Sequence, residues 1–439
     1  MNAQYRAGAT LKRLRLSRGW SLAGTARAIL AAADELGQTV GTSVASVQRS
    51  VARWESASPV LPGERYQLLL AHIYGRDTAG EYSLGPGSDF AELMEALAHL
   101  GAGSTQLAHL CALMVRVATE AGGGFALLGP ATRPLVVQAM ADPSAVSEAL
   151  LDGLAGTVTA VDAQVGSVPF ARLRILLDPV LRACERLLDA GTHLDHPELH
   201  SVAARAYTLA GRLAFETRDD TAARALYEAA ARSADHLPHW RRAAVHMSHA
   251  LVTLYSSADL TAASRLVEAA VRDARAGESG LTRARAHAVQ AEIAARSGLE
   301  RHARTALSLA WYDMDRDHAG DPSASGFSAD HLRGFEGLCH LYAGAPSTAH
   351  DYFAGAAAAL RAPREQVQRA IVAMDQALAR VKLGAPREAV ELLHGCIDAA
   401  ADTRGRVAWL RLRTARERLR PWRGESWVRD LDDHLIDSL

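Results

Sequence analysis

A glutamine and an arginine side by side on the open face of a short helix can read base pairs. The Gln amide pairs bidentately with adenine and the Arg guanidinium with guanine. Residues 43–55 of this 439-residue chain carry that combination. Val44, Val47, Val51 and Trp54 recur at helical spacing on one face, while Ala45, Gln48, Arg49, Ala52 and Arg53 fall on the other. Ser43 stands where its hydroxyl can accept from an orphan N–H of the first turn. Small neighbours let such a helix come close to base edges. A merely solvated surface helix has the same pattern, so the flanking chain must decide between the two readings.

The other residues capable of chemistry converge less well. Histidines gather at His193, His196, His200, His236, His239, His246 and His249. Zinc ligation needs three or four groups at fixed distances, yet Pro197 interrupts the register of the first trio and no cysteine or carboxylate stands beside them at zinc-motif spacing. His246 and His249 share a helix face, but no metal or other cofactor is expected. The runs at 101–105 and 122–124 lack the Gly-Lys-[Ser/Thr] of a phosphate loop and follow no strand. No Ser/His/Asp or Cys/His set stands in a recognised frame, so no enzymatic activity is expected. Cys111, Cys184, Cys339 and Cys396 lie far apart and read as reduced, buried hydrophobes. With no signal-peptide core and no run of 18 apolar residues, a soluble cytoplasmic protein without a membrane partner is expected.

Charge is distributed unevenly. The whole chain carries −1, but residues 1–76 hold ten Lys and Arg against four Asp and Glu, giving +6 there and −7 beyond. A basic head on a mildly acidic body suits a polyanion-binding module joined to one that need not touch the polyanion. Only two of the cations are lysines, Lys12 and Lys382, so arginine abundance by itself says little about any one arginine.

Around the candidate reading helix, residues 9–20 form a short basic amphipathic helix ended by Gly19, and Ser21 caps a second helix containing the small Ala26. Pro59 and Pro62 follow the third helix, and residues 64–74 form a fourth that stops at Gly75. Trp20-Ser21, Ala26, Arg53-Trp54-Glu55 and Leu70-Ala-His-Ile-Tyr-Gly75 fall in the order of a known pattern. Over about residues 8–76 the chain resembles the Xre/Cro-type helix-turn-helix family. The resemblance implies binding to duplex DNA, with Gln48 and Arg49 reading bases and Ser46, Ser50 and Arg53 contacting bases or backbone nearby. The chain departs from the family between its second and third helices, where 28 positions separate Ala26 from Trp54. Residues 31–42 form the insertion, read as a lengthened second helix followed by a loop.

A glycine-rich linker is expected at 77–88, then a helical connecting and dimerising region at 89–196. From 197 to 439 the chain repeats itself. Ala223, Ala263, Ala303, Ala349 and Ala389 open successive helices at spacings of 40, 40, 46 and 40. Four residues after each comes a larger apolar residue (Tyr227, Val267, Leu307, Phe353, Leu393), and seven after, a small one (Ala230, Ala270, Ala310, Ala356, Cys396). Twelve before each stand Gly211, Leu251, Ala291, Gly337 and Ala377. Small positions let paired helices pack closely and the large one fills the gap to the next pair.

This pattern resembles tetratricopeptide repeats with a longer unit, and residues 406–439 are expected to cap the open end. The expected fold class is therefore all-α, an N-terminal helix-turn-helix domain followed by a tetratricopeptide-like helical solenoid. The combination is similar to one-component bacterial regulators. It implies a dimeric, sequence-specific transcriptional regulator on an inverted-repeat operator in double-stranded DNA, whose body dimerises and senses a peptide or small-molecule effector. Repeat positions expected to line the effector groove are Arg212, Glu216, Ser248, Tyr255, Glu292, Arg296, Tyr342 and Lys382. The competing reading is a protein-interaction scaffold whose helix-turn-helix does not read DNA.

Overall fold

The computed structural model describes residues 3–36, 42–76, 78, 80, 82, 88–120, 128, 131–190, 196–257, 259–323, 327–361 and 365–438. Among them every regular element is a helix, and extended pairing is confined to the isolated bridges Arg76–Tyr82 and Val165–Val168. The contacts divide the chain into two compact units. The first comprises Met1–Gly153 with Ile175–Leu187, and the second Leu154–Arg174 with Leu188–Leu439. Most of the 77–88 segment and the 122–124 glycines lie outside the described residues.

The first unit opens with α1 (Ala3–Ser17), α2 (Leu22–Glu35), α3 (Val44–Trp54) and α4 (Glu64–Tyr74). Ser21 caps α2 by accepting from the Gly24 N–H, and Ser43 caps α3 by accepting from Ser46. Each satisfies a donor that the first helical turn leaves unpaired. α2 runs through Asp34 and Glu35, as a lengthened second helix requires; residues 37–41 lie outside the described set. Two further helices, α5 (Asp89–His99) and α6 (Ser104–Glu120), share the core of the first four. Leu14, Ile29, Val47 and Leu69 pack in one cluster with Leu93, Leu97 and Met114. Arg18 pairs with Asp89 and Arg13 with Glu92, so α1 is tied to α5 by charge as well as by apolar contact. Next come α7 (Thr132–Ala141), α8 (Glu148–Asp162) and α9 (Phe170–Asp189); the division into units falls within the last two.

The second unit is built from helices joined in pairs by short turns. The pairs are α10 (Pro197–Glu216) with α11 (Asp220–Ala234), α12 (His239–Ser256) with α13 (Leu260–Ala276), and α14 (Gly280–Arg296) with α15 (Glu300–Met314). Then follow α16 (Ala329–Tyr342) with α17 (Pro346–Ala359) and α18 (Gln366–Lys382) with α19 (Pro386–Thr403). Each repeat alanine is the fourth residue of its pair's second helix and is buried. α20 (Arg406–Arg418) and α21 (Ser426–Asp437) close the chain.

The small and large positions meet within a pair. A Cβ on Gly211 would lie 2.9 Å from the Tyr227 ring, and one on Gly337 would lie 2.7 Å from the Phe353 ring. The same large rings also reach forward, since the Tyr227 hydroxyl is 2.7 Å from Ser248 Oγ and Phe353 packs on Val372. Gly337→Ala is therefore expected to overpack the α16–α17 contact and cost ~1–3 kcal/mol. A denaturant midpoint for the second unit unchanged from the parent would show that Phe353 can yield.

Candidate nucleic-acid interface and ligand cavity

α3 presents the two faces its spacing predicts. Val47, Val51 and Trp54 are buried, and the Trp54 ring lies 5.0 Å from Tyr66 at 59°. Ala45, Arg49, Ala52 and Arg53 are exposed, with Ser46, Gln48 and Ser50 half-buried beside them. Two of these side chains already have local partners. The Ser50 hydroxyl donates to the Ser46 carbonyl, and Arg53 Nη2 donates back to Ser50 Oγ at 3.2 Å. That leaves Arg49 as the exposed guanidinium of the first two turns.

The basic surplus of residues 1–76 is partly spent inside the unit. Arg15 makes a bidentate pair with Glu55, Nε donating to Oε1 and Nη2 to Oε2, both at 2.8 Å, and also donates to the Trp20 carbonyl, with 7% of its surface exposed. This clamp joins the end of α1, the turn before α2 and the end of α3. Arg13, Arg18 and Arg76 pair with Glu92, Asp89 and Glu35. The Glu35 carboxylate also accepts from the His72 ring nitrogen at 3.1 Å, although burial lowers the imidazole's basicity against that partner. The cations on this unit with no such ion pair among the described residues include Arg6, Lys12, Arg27, Arg49 and Arg53.

In the second unit, five of the eight expected groove residues line one cavity of about 240 Å³: Arg212, Glu216, Ser248, Tyr255 and Glu292. The other three lie off its wall. Arg296 sits behind Glu292, paired to it at 2.7 Å and stacked between the Tyr255 and Tyr342 rings. Tyr342 is 45% exposed on the far side of that guanidinium. Lys382 turns to the Leu341 carbonyl at 3.1 Å, capping the end of a neighbouring helix instead of facing the cavity.

The cavity also has a wall that repeat arithmetic could not reach, because it comes from α20. Arg411 donates to Asp375 at 2.7 Å and to the Tyr255 hydroxyl, and approaches Glu292 to 3.7 Å. Glu216 accepts from the Val407 N–H at 3.2 Å, neutralising the N-terminus of α20, while Arg406 pairs with Asp220 and lies over Phe215. Gly405 permits this approach; a Cβ there would lie 2.6 Å from Phe170 and 3.1 Å from Glu216. The end segment thus does more than cover α19: α20 spans from α18 back to α10 across the face that carries Tyr255 and Glu292. An extended peptide laid along that face would have to displace it.

Burial sets the electrostatics of this centre. It pushes the Asp375 carboxyl up to about 6, with Arg411 pulling the other way. It also works to raise Glu292, but Arg296 and then Arg411 overcome it and hold that carboxyl below its ordinary value. The Glu216 carboxyl is raised by burial. Asp375, Arg411, Arg285 and the aromatic residues Phe327 and Phe335 were not expected from the sequence. Asp375 lies on the first helix of the fifth pair, 14 positions before Ala389, a place in the repeat that none of the expected groove residues occupies.

The histidines disperse. His200 lies against His236 at 4.2 Å, His246 faces Asp273 at 3.6 Å, and His249 stacks on Tyr227 at 4.7 Å. Among the described residues no three His, Cys, Asp or Glu groups converge as metal ligands; His193 lies outside them. Cys184, Cys339 and Cys396 are buried, but Cys111 is only half-buried because its position on α6 faces the margin of the core. No described helix is long and apolar enough to cross a membrane. No family model, no curated protein and no solved structure matches the chain.

Proposed function

We propose that the protein is a sequence-specific DNA-binding regulator of the Xre/Cro helix-turn-helix type, acting as a homodimer on an inverted repeat. Its tetratricopeptide-like body senses a small effector. The observation that carries the DNA part is the pairing of faces on α3. Val47, Val51 and Trp54 anchor one side, while Gln48 and Arg49 stand outward between Ala45 and Ala52. The Arg15–Glu55 clamp supports it, because side chains that read bases must sit on a rigid helix. Two-fold symmetry of the protein then demands half-sites about one turn of DNA apart, or a multiple.

Capture of genomic fragments on the full chain, followed by sequencing, is expected to enrich one inverted-repeat motif. Arg49→Ala or Gln48→Ala should weaken that site by ~1–3 kcal/mol and relax preference at one base position. Equal loss on the motif and on random DNA would reduce both residues to phosphate contacts. Absence of any enriched motif would overturn the regulator reading in favour of a protein-binding head.

A further inference from the structure

Two guanidiniums reach the cavity of the second unit without a carboxylate in ion-pair range among the described residues. They are Arg212 on α10 and Arg285 on α14. Every other charge at this centre has its partner. Asp375 has Arg411, Glu292 has Arg296 and Arg411, and Glu216 has the N-terminus of α20 with Arg406, while also feeling the Arg212 charge from beyond ion-pair range. Arg285 is enclosed by protein yet keeps part of its surface open and lines the cavity; the charges that act on it most are the like charge of Arg212 and, in the opposite sense and more weakly, Asp162. A buried cation without a counter-charge is costly, and proteins that carry one ordinarily pair it or coordinate something with it. Arg411, which also lines the cavity, keeps its Nε–H buried without a hydrogen-bond partner.

Ser248, His331 and Gln368 add polar groups to the lining, and the remainder is largely apolar. Leu251, Phe327, Phe335, Leu338 and Ile371 supply the wall. The cavity measures about 240 Å³. A compact molecule fits such a space, whereas an extended peptide would have to displace α20. An apolar pocket with a few convergent polar groups is the usual form of a small-molecule site.

We propose that this cavity binds a small amphipathic oxyanion: a carboxylate or phosphate group held between Arg212 and Arg285, with an aromatic or compact aliphatic body against Phe327 and Phe335. Guanidinium forks match both head groups bidentately. The proposal deepens the sensing part of the function given above, and its test needs no DNA.

Titration calorimetry of the full chain would use 3-phenylpropionate, phenyl phosphate and the uncharged 3-phenylpropanol. Saturable binding of at least one anion at about millimolar concentration or below, with the alcohol at least tenfold weaker, is the expected result. The ratio of the two anions says whether the natural head group is carboxylate or phosphate. Arg212→Gln alters an exposed side chain and should fold normally while losing about tenfold in anion affinity. Arg285→Met should abolish anion binding and raise the thermal midpoint by a few degrees, because it removes a charge that lacks a partner.

Equal binding of alcohol and anions, or full anion affinity in Arg212→Gln, overturns the proposal. A lowered midpoint in Arg285→Met would likewise overturn it, assigning Arg285 a structural role. Anion binding without an enriched DNA motif would leave the site standing and remove the regulator reading; the converse result would do the opposite.

Discussion

Trp54→Ala is expected to unfold the N-terminal helices α1–α5 while leaving the second unit intact. The indole is 5% exposed in a cluster with Val47, Val51 and the helices packed around them, and its ring is tilted against Tyr66. Truncating a buried Trp costs ~3–5 kcal/mol through lost transfer energy and the cavity left behind. That is a large share of the ~5–15 kcal/mol by which ordinary domains are stable. The next residue, Glu55, holds Arg15, and loosening the end of α3 leaves that buried guanidinium without its carboxylate. Breaking such a pair costs ~3–5 kcal/mol in its own right. Because the two sites are adjacent, their losses will not add.

Hydrogen exchange on the full-length variant should show protection lost across α1–α5 and retained across α10–α19. Uniform protection equal to the parent, with DNA binding gone, would place Trp54 on the reading face and reverse the assignment of α3.

How far the sequence discloses the molecule depends on the range of the interaction. Ser43, the apolar spacing of Val47, Val51 and Trp54, and the five repeat alanines are local signals, and the helices begin and pack where those signals place them. Helical period and caps act within one or two turns, so a single chain displays them. The docking of α5 on α1 is not local. Arg18 and Asp89 are 71 positions apart, and nothing in either segment names the other. The same holds for the closure of the second unit. Glu216 meets Val407 at a separation of 191 residues, and Tyr255 meets Arg411 at 156. Repeat arithmetic brought Tyr255, Glu292 and Arg212 to one face because that face recurs. It could not say that α20, which belongs to no repeat, would lie upon it. Tyr342 and Lys382 occupy register positions equivalent to groove residues, yet the Arg296 guanidinium and the Leu341 carbonyl hold them elsewhere.

The same closure sets the second large effect, which depends on pH. Arg411→Met keeps the aliphatic bulk of the side chain but removes the cation that Asp375 and Glu292 share. Glu292 retains Arg296, whereas among the described residues no other cation is in ion-pair range of Asp375, which keeps only the weaker influence of Arg296. At pH 8 the variant should therefore lose ~3–5 kcal/mol, the usual effect of stranding a buried charge.

The sign of the pH dependence follows from Asp375, whose carboxyl lies at about 6 against an ordinary 3.8. Its folded form holds the proton more tightly than its unfolded form. Its contribution to stability is present below about pH 4 and is lost as pH rises through about 6. Without Arg411 the folded carboxyl titrates higher still, so that loss continues above pH 6 in the variant while it has ended in the parent. The gap between them should narrow by up to about 1.4 kcal/mol per pH unit from pH 8 down to pH 6, and change little below that. Denaturation of both proteins at pH 5, 6, 7 and 8 reads this directly. A gap independent of pH would mean that Asp375 stays neutral in the parent and that Arg411 holds α20 in place through Tyr255 and Glu292 alone.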